Sequence, residues 1–376
     1  MKTATTLLVF CVSSLLALGL VTLYSAGKIE RAAGTHYFVA QLISFGIGLG
    51  VCILVTLVDY RHLKKIAWLL FAITVVLLVA VLFEKEKNGA RRWFNLAYGF
   101  SFQPSELAKL ALIVTIAWYG ERYRWAMSTF RRGILLPGLF AGVILGLVVI
   151  EPDVGTTILL AAVSFALLLM SGIRLSYALL GLVIVVAATG YYLTHNEMRY
   201  NRIYSWLHPE ETKSHVGLQA WEARVAFGAG GWAGRGLGSS RQKLGNVPEH
   251  HTDFILPIIA EELGLAASLG VVVAFVMFVC CGFHISARAP DVFGVLLGAG
   301  ITFLIGLQAF VNVAVVTGVF PNKGLPLPFI SYGGSNLILM LGCVGLLLSI
   351  ARHAVEHVHA GVDELPPASA MSADLS

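Results

Sequence analysis

Charge is scarce in this chain. Asp, Glu, Lys and Arg make up 12% of its 376 residues, about half the share of a soluble domain. With 57% apolar residues and a mean hydropathy of +0.80, it could not cover itself with polar surface, which excludes a soluble globular protein. The period-two alternation of a membrane barrel is missing, so the spans are helical, with backbone groups satisfied inside each segment. Cysteine is sparse as well. Cys11, Cys52, Cys280, Cys281 and Cys343 all lie in apolar runs, where they act as small packing residues and not as a disulfide framework or metal site. No basic stripe accompanies the net charge of +5. That argues against nucleic acid and suits anionic membrane lipids or an anionic lipid-linked substrate.

What remains is a series of apolar runs, each long enough to approach the roughly 20 residues a span requires. They predict an all-α, polytopic membrane protein with about ten spans: 5–26, 38–58, 66–83, 104–120, 134–150, 154–170, 174–193, 257–284, 292–317 and 329–351. Lys2 and the run behind it read as a retained first span, since Leu23–Gly27 makes a poor cleavage site. Residues 1–352 form one transmembrane domain and 353–376 a short disordered cytoplasmic tail. The positive-inside rule places the N-terminus inside, with Arg61, Lys64, Lys65, Arg131, Arg132, Arg174 and Arg288 among the cytoplasmic charges. An even span count puts the C-terminus on the same side. One large extracytoplasmic loop, about 194–256, and re-entrant segments complete the pattern. The Gly228–Gly238 stretch in that loop lacks the Gly-Lys-Ser/Thr of a P-loop. It reads as a close-packed turn after an amphipathic segment around Trp221–Phe227.

Four polar clusters interrupt this background, all on the predicted outer face. In the first, Arg91-Arg92-Trp93 precedes Pro104-Ser105-Glu106-Leu107-Ala108-Lys109. Arg and Trp anchor helices at interfaces, and the same cations could clamp a pyrophosphate. Glu106 and Lys109, three apart on one helix face, form either a structural ion pair or part of a substrate site. The second, Glu151-Pro152-Asp153, reads as a tight turn with Asp153 capping the next helix. The third ends in His250-His251-Thr252-Asp253, with Glu261-Glu262 about two helical turns on. Adjacent histidines without cysteine partners make a poor metal set, whereas at least one of the two glutamates should meet a cation. The fourth runs from Asn312 to Ser335, rich in proline and glycine and carrying Lys323. Irregular backbone at membrane depth is tolerated only inside protein or along a cavity.

Together these residues resemble the SEDS family, the FtsW/RodA/SpoVE polymerases of cell division, rod shape and sporulation. Gly89–Trp93 is similar to the family's GA(R/Q/S)RW motif and Pro104–Lys109 to PSE(L/I)AK. Gly230–Gly238, His251–Ile255 and Ala260–Gly264 look like its large loop and the following helix, and Asn312–Ser335 like its C-terminal signature. The resemblance covers residues 5 to 352. Asn322 and Asn336 depart from the residues usual at their positions. Lys323-Gly324 and Arg91-Arg92-Trp93 lean towards the division branch over the elongation (RodA-type) branch.

The resemblance implies a peptidoglycan glycosyltransferase of the bacterial inner membrane that polymerises glycan strands from lipid II on the outer face. Its implied partners are a class B penicillin-binding protein, other divisome membrane proteins and membrane lipids. It places the essential loop aspartate at Asp253. Substrate binding then falls on Glu106, Lys109, Arg91, Arg92, Trp93, Lys323, Ser331, Gly333 and Gly334. A single base suffices for an inverting transfer, while the leaving pyrophosphate calls for positive charge. A divalent cation, Mg2+ or Mn2+, with Asp253 as a ligand, is an alternative source of that charge. The rival functions are a lipid II flippase or other transporter, which shares broken helices and intramembrane charge, and a scaffold that recruits division enzymes.

Overall fold

A computed structural model describes residues 1–27, 33–86, 90–95, 101–194, 197–212, 217–240 and 252–363. Lys28, Arg31, Lys87, Asn88, Gly89, the Lys243–His251 stretch and residues 364–376 lie outside them. The helices are α1 (Lys2–Gly27), α2 (Ala33–Leu57), α3 (His62–Val81), α4 (Pro104–Arg122), α5 (Leu136–Ile150) and α6 (Val154–Met170). They continue with α7 (Leu175–Thr194), α8 (Glu197–Leu207), α9 (Leu218–Gly230), α10 (Ile255–Ala287), α11 (Val292–Val316) and α12 (Gly334–Asp363).

A helix stands at each of the ten positions expected of a span. Among the described residues seven are long and apolar enough to cross a membrane: those at Lys2–Ser25, Tyr37–Leu57, His62–Val81, Arg131–Ile150, Ile255–Ala287, Val292–Val316 and Gly334–Glu356. α6 is a shorter apolar helix. The last expected span begins at 329, but α12 starts at Gly334, because residues 321–333 form irregular backbone and turns. α12 also continues to Asp363, so 353–363, assigned from the sequence to a disordered tail, are helical. Charged pairs at helical spacing, such as Arg352 with Glu356 at 3.8 Å, suit that extension.

α11 sits centrally, packed against α4, α6 and α10, while α2 lies along α12 and α3 along α4. Leu297, Ile301, Leu304 and Ile305 of α11 are fully buried. The long polar loop contains two helices: α9, which covers the amphipathic Trp221–Phe227 segment, and α8, which was not expected. Two short strands, β1 (Phe94–Asn95) and β2 (Ser101–Phe102), pair antiparallel just before α4, with Phe94 opposite Phe102.

At the end of the bundle away from α8 and α9, ion pairs tie the loops together. Arg61 Nε meets Asp291 Oδ2 at 2.8 Å and Lys64 Nζ meets Glu121 Oε1 at 2.7 Å. Asp291 also caps α11 by accepting from the Gly294 amide at 2.6 Å.

Candidate functional site

The site is organised by polar residues on α4 and α11. Pro104 starts α4 at a position where a missing amide hydrogen costs nothing. One turn on, Lys109 Nζ lies 2.9 Å from both carboxylate oxygens of Glu106. Both residues are buried, Lys109 completely. Such a pair needs further hydrogen bonds to offset desolvation, and it has them. Lys109 donates to Gln308 Oε1 of α11 at 3.0 Å, and Asn336 of α12 donates to Glu106 Oε2 at 2.9 Å.

Gln308 and Asn312 are four apart and share one face of α11. Gln308 Nε2 donates to the Pro326 carbonyl at 2.8 Å. Asn312 Nδ2 donates both to the Leu325 carbonyl at 2.7 Å and to the Asp253 carbonyl at 2.9 Å. One helix face therefore fixes the irregular 321–326 segment and the backbone of Asp253 together. The side chain of Asp253 lies against Gly324, where a Cβ would come within 2.5 Å of Oδ2. A larger residue at 324 would push the carboxylate from this place.

The four polar clusters line one cavity of about 1480 Å3. Arg92, Trp93, Glu106, Asp153, Asp253, Lys323, Gly333 and Gly334 all face it, with Arg202 of α8 and Gln219 of α9 on the outer side. α8 is held over the site by Trp206 Nε1, which donates to the Gly318 carbonyl at 2.9 Å, and α9 by Gln219, whose Oε1 accepts from Asn322 Nδ2 at 3.0 Å. The cavity then runs down between α2, α3, α4 and α12 along Ile47, Val51, Leu54, Leu110, Ile338 and Leu346 as far as Asp59 and Tyr60.

Three candidates from the sequence sit elsewhere. Lys109 is behind Glu106 and does not line the cavity. Arg91 is exposed and donates to the Leu82 carbonyl at 3.1 Å. Ser331 is buried in the turn before α12, where its hydroxyl accepts from the Leu327 amide at 2.8 Å. Arg92 faces the cavity but also donates from Nε to the Glu151 carbonyl, at 2.7 Å, and from Nη2 to the Pro152 carbonyl, at 2.5 Å. Asp153 caps α6, accepting from the Thr156 amide at 3.1 Å, and receives Gln103 Nε2 at 3.3 Å. Glu261 meets Arg235 at 3.5 Å. Arg202, Gln219 and Gln308 were not anticipated. Of these, Gln308, an amide in the middle of an apolar span, carried a usable signal.

Among the described residues no group of three or more His, Cys, Asp or Glu side chains gathers that could hold a metal ion. Asp153 and Asp253 offer the cavity the oxygen donors that a hard divalent cation takes. Phosphate oxygens of a substrate would have to complete such a set.

Glu151 is fully buried beside this wall, and neither carboxyl oxygen has a hydrogen-bond partner. Burial, reinforced by the Asp153 charge and opposed by Arg92, pushes its pKa up to about 8.

This arrangement defines a multi-helix membrane protein with a polar site at one end of a lipid-sized groove. A family model described as "Cell cycle protein", FtsW/RodA/SpoVE, matches residues 5–356, and the chain belongs to that family. It is 38% identical over 351 residues to a protein of Trichlorobacter lovleyi named "Probable peptidoglycan glycosyltransferase FtsW", covering 92% of each chain. It is 40% identical to a protein of the same name from Marinobacter nauticus, over 91% of this chain and 87% of the relative. Among solved structures, a chain described under "Structural coordination of polymerization and crosslinking by a peptidoglycan synthase complex" is similar with a TM-score of 0.78 and 28% identity, covering 92% and 97% of the two chains. The rod shape determining protein RodA of Thermus thermophilus follows with a TM-score of 0.69 and 28% identity, covering 92% and 96%.

Two outcomes are expected. Lys109→Met and Glu106→Gln each strand one buried partner and lower thermal stability in detergent, by about 3–5 kcal/mol. Glu151→Gln acts differently. Between pH 4.5, the ordinary value, and about 8 the unfolded chain ionises while the folded one stays protonated, so Glu151 erodes stability as pH rises through that window. The variant should match wild type in thermal unfolding at pH 4.5 and exceed it increasingly up to pH 8.

Proposed function

We propose that this protein polymerises peptidoglycan glycan strands from lipid II during septal wall synthesis, with Asp253 as the general base. The observation that carries the reading is the cavity, which joins Asp253 and Lys323 at its polar end to an apolar groove through the bundle. The stretch of α2 along that groove, Ala40 to Val55, rises about 22 Å at 1.5 Å per residue, most of the hydrocarbon thickness of roughly 30 Å. A polyprenyl chain suits such a groove and a disaccharide pyrophosphate suits the end above it.

The acceptor sugar presents its 4-hydroxyl to Asp253, which takes the proton as the oxygen attacks the anomeric carbon of the donor strand. The new C–O bond forms as the bond to the polyprenyl pyrophosphate breaks on the opposite side, so an α-linked donor yields a β-linkage. Arg92 and Lys323 face the cavity where negative charge develops on the leaving group. Trp93 offers an apolar ring to a sugar face. Glu106 completes the wall, and Gly333 and Gly334 let a phosphate approach the backbone. The termini and the α2–α3 loop face the cytoplasm and α8 and α9 the outside, in line with the positive-inside rule. The names of the curated relatives favour division over elongation. A class B penicillin-binding protein supplies the crosslinking activity, as the similar synthase complex suggests.

The flippase reading is weaker because the middle of the groove is lined by Ile47, Val51, Leu54, Val55, Leu107 and Leu110. A charged headgroup passing there would lose its hydration without a partner.

The test uses the purified protein, alone and with a class B penicillin-binding protein inactivated for crosslinking, given lipid II. Wild type should yield glycan polymer, and Asp253→Asn should remain folded and yield at least 100-fold less. Comparable polymer from the variant would remove Asp253 from the role of base.

A further inference from the structure

α10 is broken. At Gly264 the backbone takes φ 83°, ψ 178°, a combination that residues other than glycine avoid. The break cuts a rod, residues 255–263, from the long helix that follows. It also leaves carbonyls and amides on either side without helical partners, a costly state in a buried segment. The glycine-rich segment after α9 supplies those partners. The amides of Arg235 and Gly236 donate to the carbonyls of Glu261 and Glu262, each at 3.0 Å, and the Leu265 amide donates to the Gly231 carbonyl at 2.8 Å. Residues 231–236 are thus spliced into the gap, and the backbones approach so closely that a Cβ on Gly234 would clash with the Glu262 carbonyl.

Glu262 locks this splice. Its side chain is 1% exposed and accepts from Ser25 Oγ of α1 at 2.9 Å, from the Gly238 amide at 3.1 Å and from the Ser240 amide at 3.4 Å. A carboxylate presents only acceptors to these donors, whereas an amide would turn an NH2 group on some of them.

The opposite end of the rod follows directly from the turn that carries Asp253, whose carbonyl is fixed to Asn312 at 2.9 Å. From Ile255 to Glu262 the rod runs eight helical residues, about 12 Å at 1.5 Å per residue. Over that length a tilt of roughly 5° displaces the head by about 1 Å, and a misplacement of that size in a reacting group costs on the order of 100-fold in rate. We infer that Glu262 is a positioning residue for the reaction: it clamps the loop splice at Gly264 and so sets where the helical rod holds Asp253 against Gly324. Neither Glu262 nor Ser25 lines the cavity, so the effect falls on turnover and not on substrate affinity. The inference rests on the assignment of Asp253 as base.

The experiment measures kcat and KM for lipid II polymerisation by the full chain with its crosslinking partner, for wild type, Glu262→Gln, Ser25→Ala and Asp253→Asn. Rates are expressed per folded molecule, counted by size exclusion and thermal unfolding. Glu262→Gln should lose at least 10-fold in kcat with KM within about 2-fold of wild type, and Ser25→Ala should show a smaller loss of the same kind. Ser25→Ala also serves if Glu262→Gln does not fold. Unchanged kcat per folded molecule in either variant, or a loss confined to KM, would overturn the inference. The two assignments fail separately. An active Asp253→Asn would remove the base itself, whereas an inactive one beside a Glu262→Gln of wild-type kcat would remove only the positioning role.

Discussion

The rest of the site depends on the ion pair between Glu106 and Lys109. Two charges buried among apolar helices are tolerable only when paired and further hydrogen-bonded. Here the extra bonds come from Gln308 of α11 and Asn336 of α12. The pair therefore joins three helices at the depth where the chain also has to hold irregular backbone. Gln308 passes the constraint on, since its amide nitrogen secures Pro326, and one turn further Asn312 secures Leu325 and Asp253. A single polar face on an apolar helix connects a buried charge pair to the backbone of Asp253, the residue proposed as base.

Around that spine the wall of the cavity is built largely from helix ends and turns. Asp153 caps α6 and faces the cavity with the same side chain. Gln41 of α2 donates to the Ser331 carbonyl at 3.2 Å and accepts from the Gly333 amide at 3.2 Å, which settles the turn before α12. Backbone groups freed at the break in α10 and in the turn before α12 find a neighbouring loop or a side chain, as backbone at membrane depth requires. This explains how a chain with 39 glycines and 12 prolines keeps so much non-helical structure beside a lipid-facing groove.

Much of this was legible in the sequence. The apolar runs located the long helices, the spacing of Glu106 and Lys109 their pairing, and Asp153 its cap. The four polar clusters proved to be the walls of one cavity. The failures have identifiable causes. α8 and α9 are too polar to register as spans, and what holds them on the site comes from segments distant in sequence, Gly318 for Trp206 and the start of α10 for α9. The groove is a gap among four helices, a property of their packing that no local pattern encodes. Lys109, Arg91 and Ser331, polar residues of the same motifs, do not line this cavity and bond instead to Glu106, the Leu82 carbonyl and the Leu327 amide. Asn322 and Asn336, the departures from the family pattern, both acquired partners, Gln219 and Glu106, from segments distant in sequence.

The central claim is that one cavity holds the sugar pyrophosphate at Asp253 while its lipid tail lies between α2 and α12. Lipid II carrying a photoreactive group partway along its polyprenyl chain tests this directly. Irradiation of the bound complex followed by peptide mapping should place the adducts at Val51, Leu54 and Val55 of α2 and at Ile338 and Leu339 of α12, all of which line the groove. Adducts concentrated instead on the exposed face of α10, at Leu269, Val273 and Val276, would contradict it.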